Sequence, residues 1–139
     1  MIQRVQSIYL LLASLSGATL FGLPFAQGDQ ATDGLLADGV FDVYDNNGLL
    51  ILAAAVTLLA FLSIFLFNNR KLQMNVGKLN LLLGFAILAW AGFWFFELMK
   101  VATFGFGLVM PLMAIILTYI ANRNILKDEK LVRSADRLR

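Results

Sequence analysis

The sequence contains no cysteine and no histidine. Without thiols there is no disulfide, no thiolate metal site, no redox-active CxxC pair and no acyl anchor on cysteine. Without imidazole there is no histidine general base, haem ligand or His-based metal site. Charge is scarce as well. Charged residues make up 14% of the 139, against about a quarter in an ordinary soluble domain. The net charge of +2 is too small for a nucleic-acid-binding surface, so no nucleic-acid partner is expected. Only two prolines, Pro24 and Pro111, interrupt the chain.

What is present is apolar: 60% of the residues are hydrophobic and the mean hydropathy is +0.78. A chain of this length has too little interior to bury so much. The composition therefore predicts an integral membrane protein forming one domain over residues 1–139. Four stretches lack charge and match the ~30 Å hydrocarbon thickness at about 1.5 Å per residue. They are 8–26, 49–67, 79–96 and 101–121. In lipid such stretches must be helical, because unpaired backbone groups find no water there. The first reads as an uncleaved helix rather than a signal peptide. Its apolar run is long, and Pro24 stands where a cleavage site wants a small residue.

Ten of the eleven Lys and Arg fall before the first span, between the second and third, or after the fourth; Lys100 alone lies on the other side. The positive-inside rule then predicts that both termini are cytoplasmic. The loop 27–47 faces outward with Asp29, Asp33, Asp38, Asp42 and Asp45 and no basic residue. Their spacing does not fit an EF-hand. Residues 40–44 (VFDVY) alternate weakly and predict a short strand, and Asp45 or Asn46 would cap the second helix. Trp90, Phe93, Trp94, Phe95, Phe96, Phe104 and Phe106 load the outer ends of the third and fourth spans as an aromatic belt. A lipid- or quinone-contacting groove is the sharper alternative.

Small residues at four-residue spacing mark helix-packing faces: Ala13 with Gly17, Ala18 with Gly22, and Gly84 and Gly92 on one row of the third span. These faces serve either the chain's own bundle or a second protein. Pro24 ends the first span, and Pro111, inside the fourth, is expected to kink it.

Catalysis in a membrane needs acids, bases or metal ligands at depth. The four spans hold no ionisable side chain except tyrosine. Glu97 and Lys100, in the outer turn, are spaced for a local ion pair. No catalytic, cofactor-binding or metal-binding residue is predicted, and no small-molecule substrate is identified. Thr57, Ser63, Asn80, Thr103 and Thr118 either line a pore or bond to backbone carbonyls.

The cytoplasmic side carries the distinctive segments. Arg70, Lys71 and Lys78 lie in one, and Arg123, Lys130, Arg133 and Arg137 in the other. All seven are candidates for contact with anionic lipid or a cytoplasmic partner. Leu131, Ala135 and Leu138 repeat at i, i+4, i+7, which predicts a short amphipathic C-terminal helix. The opening MIQRVQSIYL, the NNRK turn at 68–71 and the closing KDEKLVRSADRLR resemble an uncharacterised family of small bacterial four-span membrane proteins. The resemblance covers nearly the whole chain and implies the same topology but no activity.

The expected fold class is thus all-α: a four-helix transmembrane bundle in the bacterial inner membrane. The expected function is that of a non-catalytic accessory or structural subunit of a larger membrane complex, with other membrane-protein subunits and the lipid bilayer as partners. The alternative is a small oligomeric transporter or channel.

Overall fold

The computed structural model describes residues 2–28, 36 and 38–136, with side chains from residue 5 to residue 134 of these. Four helices dominate: α1 (Ile2–Ala18), α2 (Asn47–Phe65), α3 (Arg70–Leu98) and α4 (Val109–Asp136). Three strands are interleaved with them: β1 (Ala26–Gly28), β2 (Val40–Phe41) and β3 (Ala102–Phe104). Three helical segments are long and apolar enough to cross a membrane: Asn47–Asn68, Arg70–Leu98 and Phe106–Ser134. The fourth, Val5–Phe21, is apolar but shorter.

Each helix buries one narrow stripe. On α1 it comprises Gln6, Leu10, Ala13 and Gly17; on α2, Leu49, Ala53, Val56, Ala60 and Ser63. On α3 it is Gln73, Gly77, Asn80, Gly84, Ile87 and Ala91; on α4, Ala114, Thr118, Ala121, Ile125 and Asp128. The alternating steps of three and four are those of a coiled-coil seam, which keeps side chains on one line between close-packed helices. α1 packs against α2 and α4, and α3 against the same two, so the four form a closed square. The outward faces stay apolar; Ile51 on α2 is 68% exposed and Leu82 on α3 is 65% exposed.

Small residues set the distance between helices at particular points. A Cβ on Gly17 would stand 3.2 Å from the Thr57 backbone, and one on Gly84 would stand 2.8 Å from the Ile115 side chain. Ala13 is fully buried. Ala18 and Gly22, by contrast, are exposed, and Gly92 has nothing within 4 Å of where a Cβ would be. The spacing that singled out these six residues therefore splits between inward and outward positions.

The sheet is the main departure from an all-helical reading. β1 is its central strand, antiparallel to both neighbours in the order β2-β1-β3. Ala26 faces Phe41 and Phe104 across it, and Gln27 faces Val40 and Thr103. The first span ends in a 3-10 turn at Thr19–Phe21, not at residue 26. Pro24 cannot donate to a helical carbonyl and biases Leu23 toward extended backbone, so the chain leaves the helix and pairs as a strand. Residues 102–104, assigned by hydropathy to the fourth span, form β3, and only Val40 and Phe41 of the 40–44 segment are strand. Pairing satisfies backbone groups at the bundle end that a loop would leave to solvent. Under the sheet lie Phe25 and Phe41, ring centroids 5.5 Å apart, with Leu20, Leu36, Val43 and Leu49.

Other helix ends follow from local chemistry. Asn46, rather than Asp45, caps α2, accepting from Gly48 N at 2.8 Å. Asn69 caps α3, accepting from Leu72 N at 3.1 Å. Pro111 falls in the first turn of α4, where N–H groups have few intrahelical acceptors, so the reason to expect a mid-span kink disappears. α4 then runs without a break through residue 122 to Asp136, and the expected separate C-terminal helix is its continuation.

Asp45 instead accepts from Asp42 N at 2.7 Å, while Asp42 accepts from Tyr44 N at 2.6 Å. Partial burial holds the Asp45 carboxyl above its usual range, opposed by the Asp42 N–H and reinforced by the Asp42 and Asp38 charges. A raised folded value means that stability is fully present below the ordinary carboxylate range and is lost as pH rises through the folded value. Asp45→Asn keeps an acceptor for Asp42 N. Its thermal midpoint in detergent is expected to exceed the wild type's at pH 7, with the gap closing toward pH 4. Equal midpoints at both pH values would refute this.

Candidate functional site

The end of the bundle away from the sheet is built by α3 and α4 extending past their apolar runs. Asn69 starts α3 there, and Gln73 anchors it to the preceding helix by donating from Nε2 to Ser63 O at 2.8 Å. Gly77 leaves room for the Asn122 side chain, which would collide with any Cβ. One turn inward, Asn80 Nδ2 donates to Thr118 Oγ1 at 3.4 Å. Near the end of the described chain Gln6 Nε2 donates to Asp128 Oδ2 at 2.5 Å, both residues buried. This bond ties α1 to α4.

The interior of this end is thus polar, and some of it is unpaired. Ser63 Oγ, Asn80 Oδ1, Asn122 Oδ1 and Arg70 Nη1 are buried without a hydrogen-bond partner. Thr57 Oγ1 donates to Ala53 O at 2.8 Å and Thr103 Oγ1 to Gln27 O at 3.1 Å, so these two bond to backbone carbonyls.

Most of the predicted basic residues converge on the α3–α4 seam. Lys71, Lys78, Arg123 and Lys130 are exposed along it. Arg133 pairs with Glu129 at 2.6 Å, the one ion pair among the described residues. Arg70 is half-buried, and Arg137 lies outside the described residues. Between these side chains run two adjoining hollows of about 330 and 310 Å³. The first is lined by Met74, Lys78, Leu81, Tyr119, Asn122, Arg123 and Leu126. The second shares Met74 and Leu126 with it and adds Lys71, Glu129, Lys130 and Arg133. The groove was not foreseen, because its apolar floor comes from two helices and no single stretch of sequence contains it.

At the opposite end, Glu97 and Lys100 are both exposed and close no ion pair. Phe95 packs edge-on against Phe104, with centroids 5.9 Å apart, while Phe96 and Phe106 point outward, each 72% exposed. Asp38, Asp42 and Asp45 accept backbone N–H groups of their own loop, and no three of the described acidic side chains come together as a metal site would require.

Fold and site together define a small helical-bundle protein with membrane-length apolar helices and a cationic groove at one end. The chain belongs to the family described as a domain of unknown function (DUF4293), whose model matches residues 2–138. No curated protein and no solved structure matches it.

Proposed function

We propose that this chain is a non-catalytic, multi-pass protein of the bacterial inner membrane that serves as an accessory or structural subunit of a larger complex. The observation that carries this reading is the outward placement of Ala18, Gly22 and Gly92. In lipid, helices associate where small residues let backbones approach closely. Gly92 has no neighbour of its own chain to approach, and Gly22 touches only its own turn. The lysine and arginine distribution supports an orientation with the groove end in the cytoplasm.

The natural absence of cysteine permits a direct test. Single cysteines at Ala18 and Gly92, treated with a short crosslinker in native membranes, should give one discrete adduct with a different protein. A cysteine at buried Ala13 should give none. The second reading, an oligomeric transporter or channel, is favoured by the unpaired polar atoms of Ser63, Asn80 and Asn122 inside the bundle. Adducts only between copies of this chain, with ion flux in liposomes, would replace the first reading with the second.

A further inference from the structure

We propose that the groove between α3 and α4 binds one anionic diacyl phospholipid, with its phosphate between Lys78 and Arg123 and an acyl chain along Leu81 and Tyr119. The proposal rests on the reading of the chain as a membrane protein and adds a specific ligand to it.

Four observations carry it. The first is depth. Lys78 immediately precedes the apolar run of α3, and Arg123 follows that of α4. The antiparallel register, set by Asn80 against Thr118 and by Gly84 against Ile115, brings the two cations within about one helical turn of each other on the wall of one hollow. That depth is where hydrocarbon gives way to headgroups, so a phosphate belongs there. The second is polarity along the groove. Leu81 and Tyr119 lie on the bundle side of these cations, and Lys71 and Lys130 lie beyond them. An amphiphile with an apolar tail and a negative head has the same order.

The third is charge. Among the described residues Glu129 is the only acidic one lining the groove, and Arg133 occupies it. Lys71, Lys78, Arg123 and Lys130 have no acidic partner among the described residues. The fourth is shape. Met74 and Leu126 join the two hollows into one continuous apolar floor. An acidic peptide would leave the inner part of that floor empty, because Leu81 lies within the apolar run where a solvated backbone cannot follow. Free phosphate would leave it empty too.

The test uses the full chain in neutral detergent micelles doped with phosphatidylglycerol, with phosphatidylcholine, or with inorganic phosphate. Native mass spectrometry counts the molecules retained. One phosphatidylglycerol per chain should survive, in preference to phosphatidylcholine, and inorganic phosphate or an oligoglutamate peptide should not displace it. Lys78→Gln with Arg123→Gln, both exposed, should reduce that preference about tenfold or more. Lys100→Gln, at the far end, should leave it unchanged. Leu126→Trp, which fills the groove while keeping every charge, should also abolish retention.

Equal retention of phosphatidylcholine, displacement by phosphate or by the peptide, or an unaffected double variant would each overturn the proposal. Alkaline carbonate extraction separates this from failure of the membrane reading. A chain that stays in the membrane but shows no lipid preference refutes only the lipid site; a chain that is extracted refutes the membrane reading.

Discussion

Gly107→Ala is expected to destabilise the bundle by about 2–4 kcal/mol, because the new methyl group meets backbone rather than side chain. A Cβ on Gly107 would stand 2.6 Å from both Leu23 O and Pro24 O. The Pro24 carbonyl is held in place. Pro24 O accepts the Gly107 N–H at 2.8 Å, and the neighbouring Phe25 O accepts the Gly105 N–H at 3.0 Å. The chain entering α4 is thus laid directly on the chain entering β1, and only glycine permits that approach. A lower thermal midpoint in detergent, with reduced steady-state level in the membrane, is the expected result. Gly92→Ala provides the comparison. With open space around Gly92, alanine should be neutral, or stabilising by about 0.5–1 kcal/mol through helix propensity. If the two variants melt alike, the tight crossing at Gly107 is not a determinant of stability.

The second large effect is expected at Gln6→Leu, again about 2–4 kcal/mol. Gln6 and Asp128 are 6% and 7% exposed, and the glutamine amide donates to the aspartate. Removing the donor leaves a buried carboxylate without its partner, and that desolvation loss exceeds the net worth of the bond itself. Replacing both residues with apolar ones removes the stranded group. Gln6→Leu with Asp128→Leu should therefore be more stable than Gln6→Leu alone. A double-mutant cycle read by thermal or denaturant unfolding measures the coupling. Additive effects would show that the two side chains do not depend on each other. The same contact bears on any truncation of the C-terminus. Ile125 and Asp128 are buried against the bundle, so deletions beginning after Asn124 test stability before they test partner binding.

Much of this architecture was legible in advance, for reasons that differ from element to element. The apolar cores of α2, α3 and α4 followed from hydropathy, because burial in lipid is a sum over local composition. A local rule about orphan N–H groups narrowed the cap of α2 to Asp45 or Asn46, and the structure selects Asn46. The seam stripes were present in the sequence as well: Gln73, Gly77, Asn80, Gly84, Ile87 and Ala91 alternate steps of four and three. The α3 stripe was obscured because all its residues but Ile87 are small or polar, and hydropathy weighs them little. Of the sheet only β2 was legible, in the weak alternation of residues 40–44; β1 and β3 were not. β1 and β3 sit at the ends of the apolar stretches 8–26 and 101–121, and periodicity cannot tell such a strand from a helix end. What makes them strands is pairing with each other across some seventy-five positions of chain, as in Gly28 with Ala102.

The candidate site divides in the same way. Lys78 and Arg123 were visible as charges at the ends of apolar runs, but nothing local placed them opposite each other. Their level is set by Asn122 entering the space at Gly77 and by Asn80 meeting Thr118. From the sequence alone come the number of apolar helices and the end of the chain's charge, since both are additive properties of neighbouring residues. The tertiary structure alone decided that Ala26–Gly28 and Ala102–Phe104 pair as strands. It also decided which glycines face inward and that two basic segments line one groove. Those are contacts between residues distant in sequence, fixed by the shapes of the surfaces that meet.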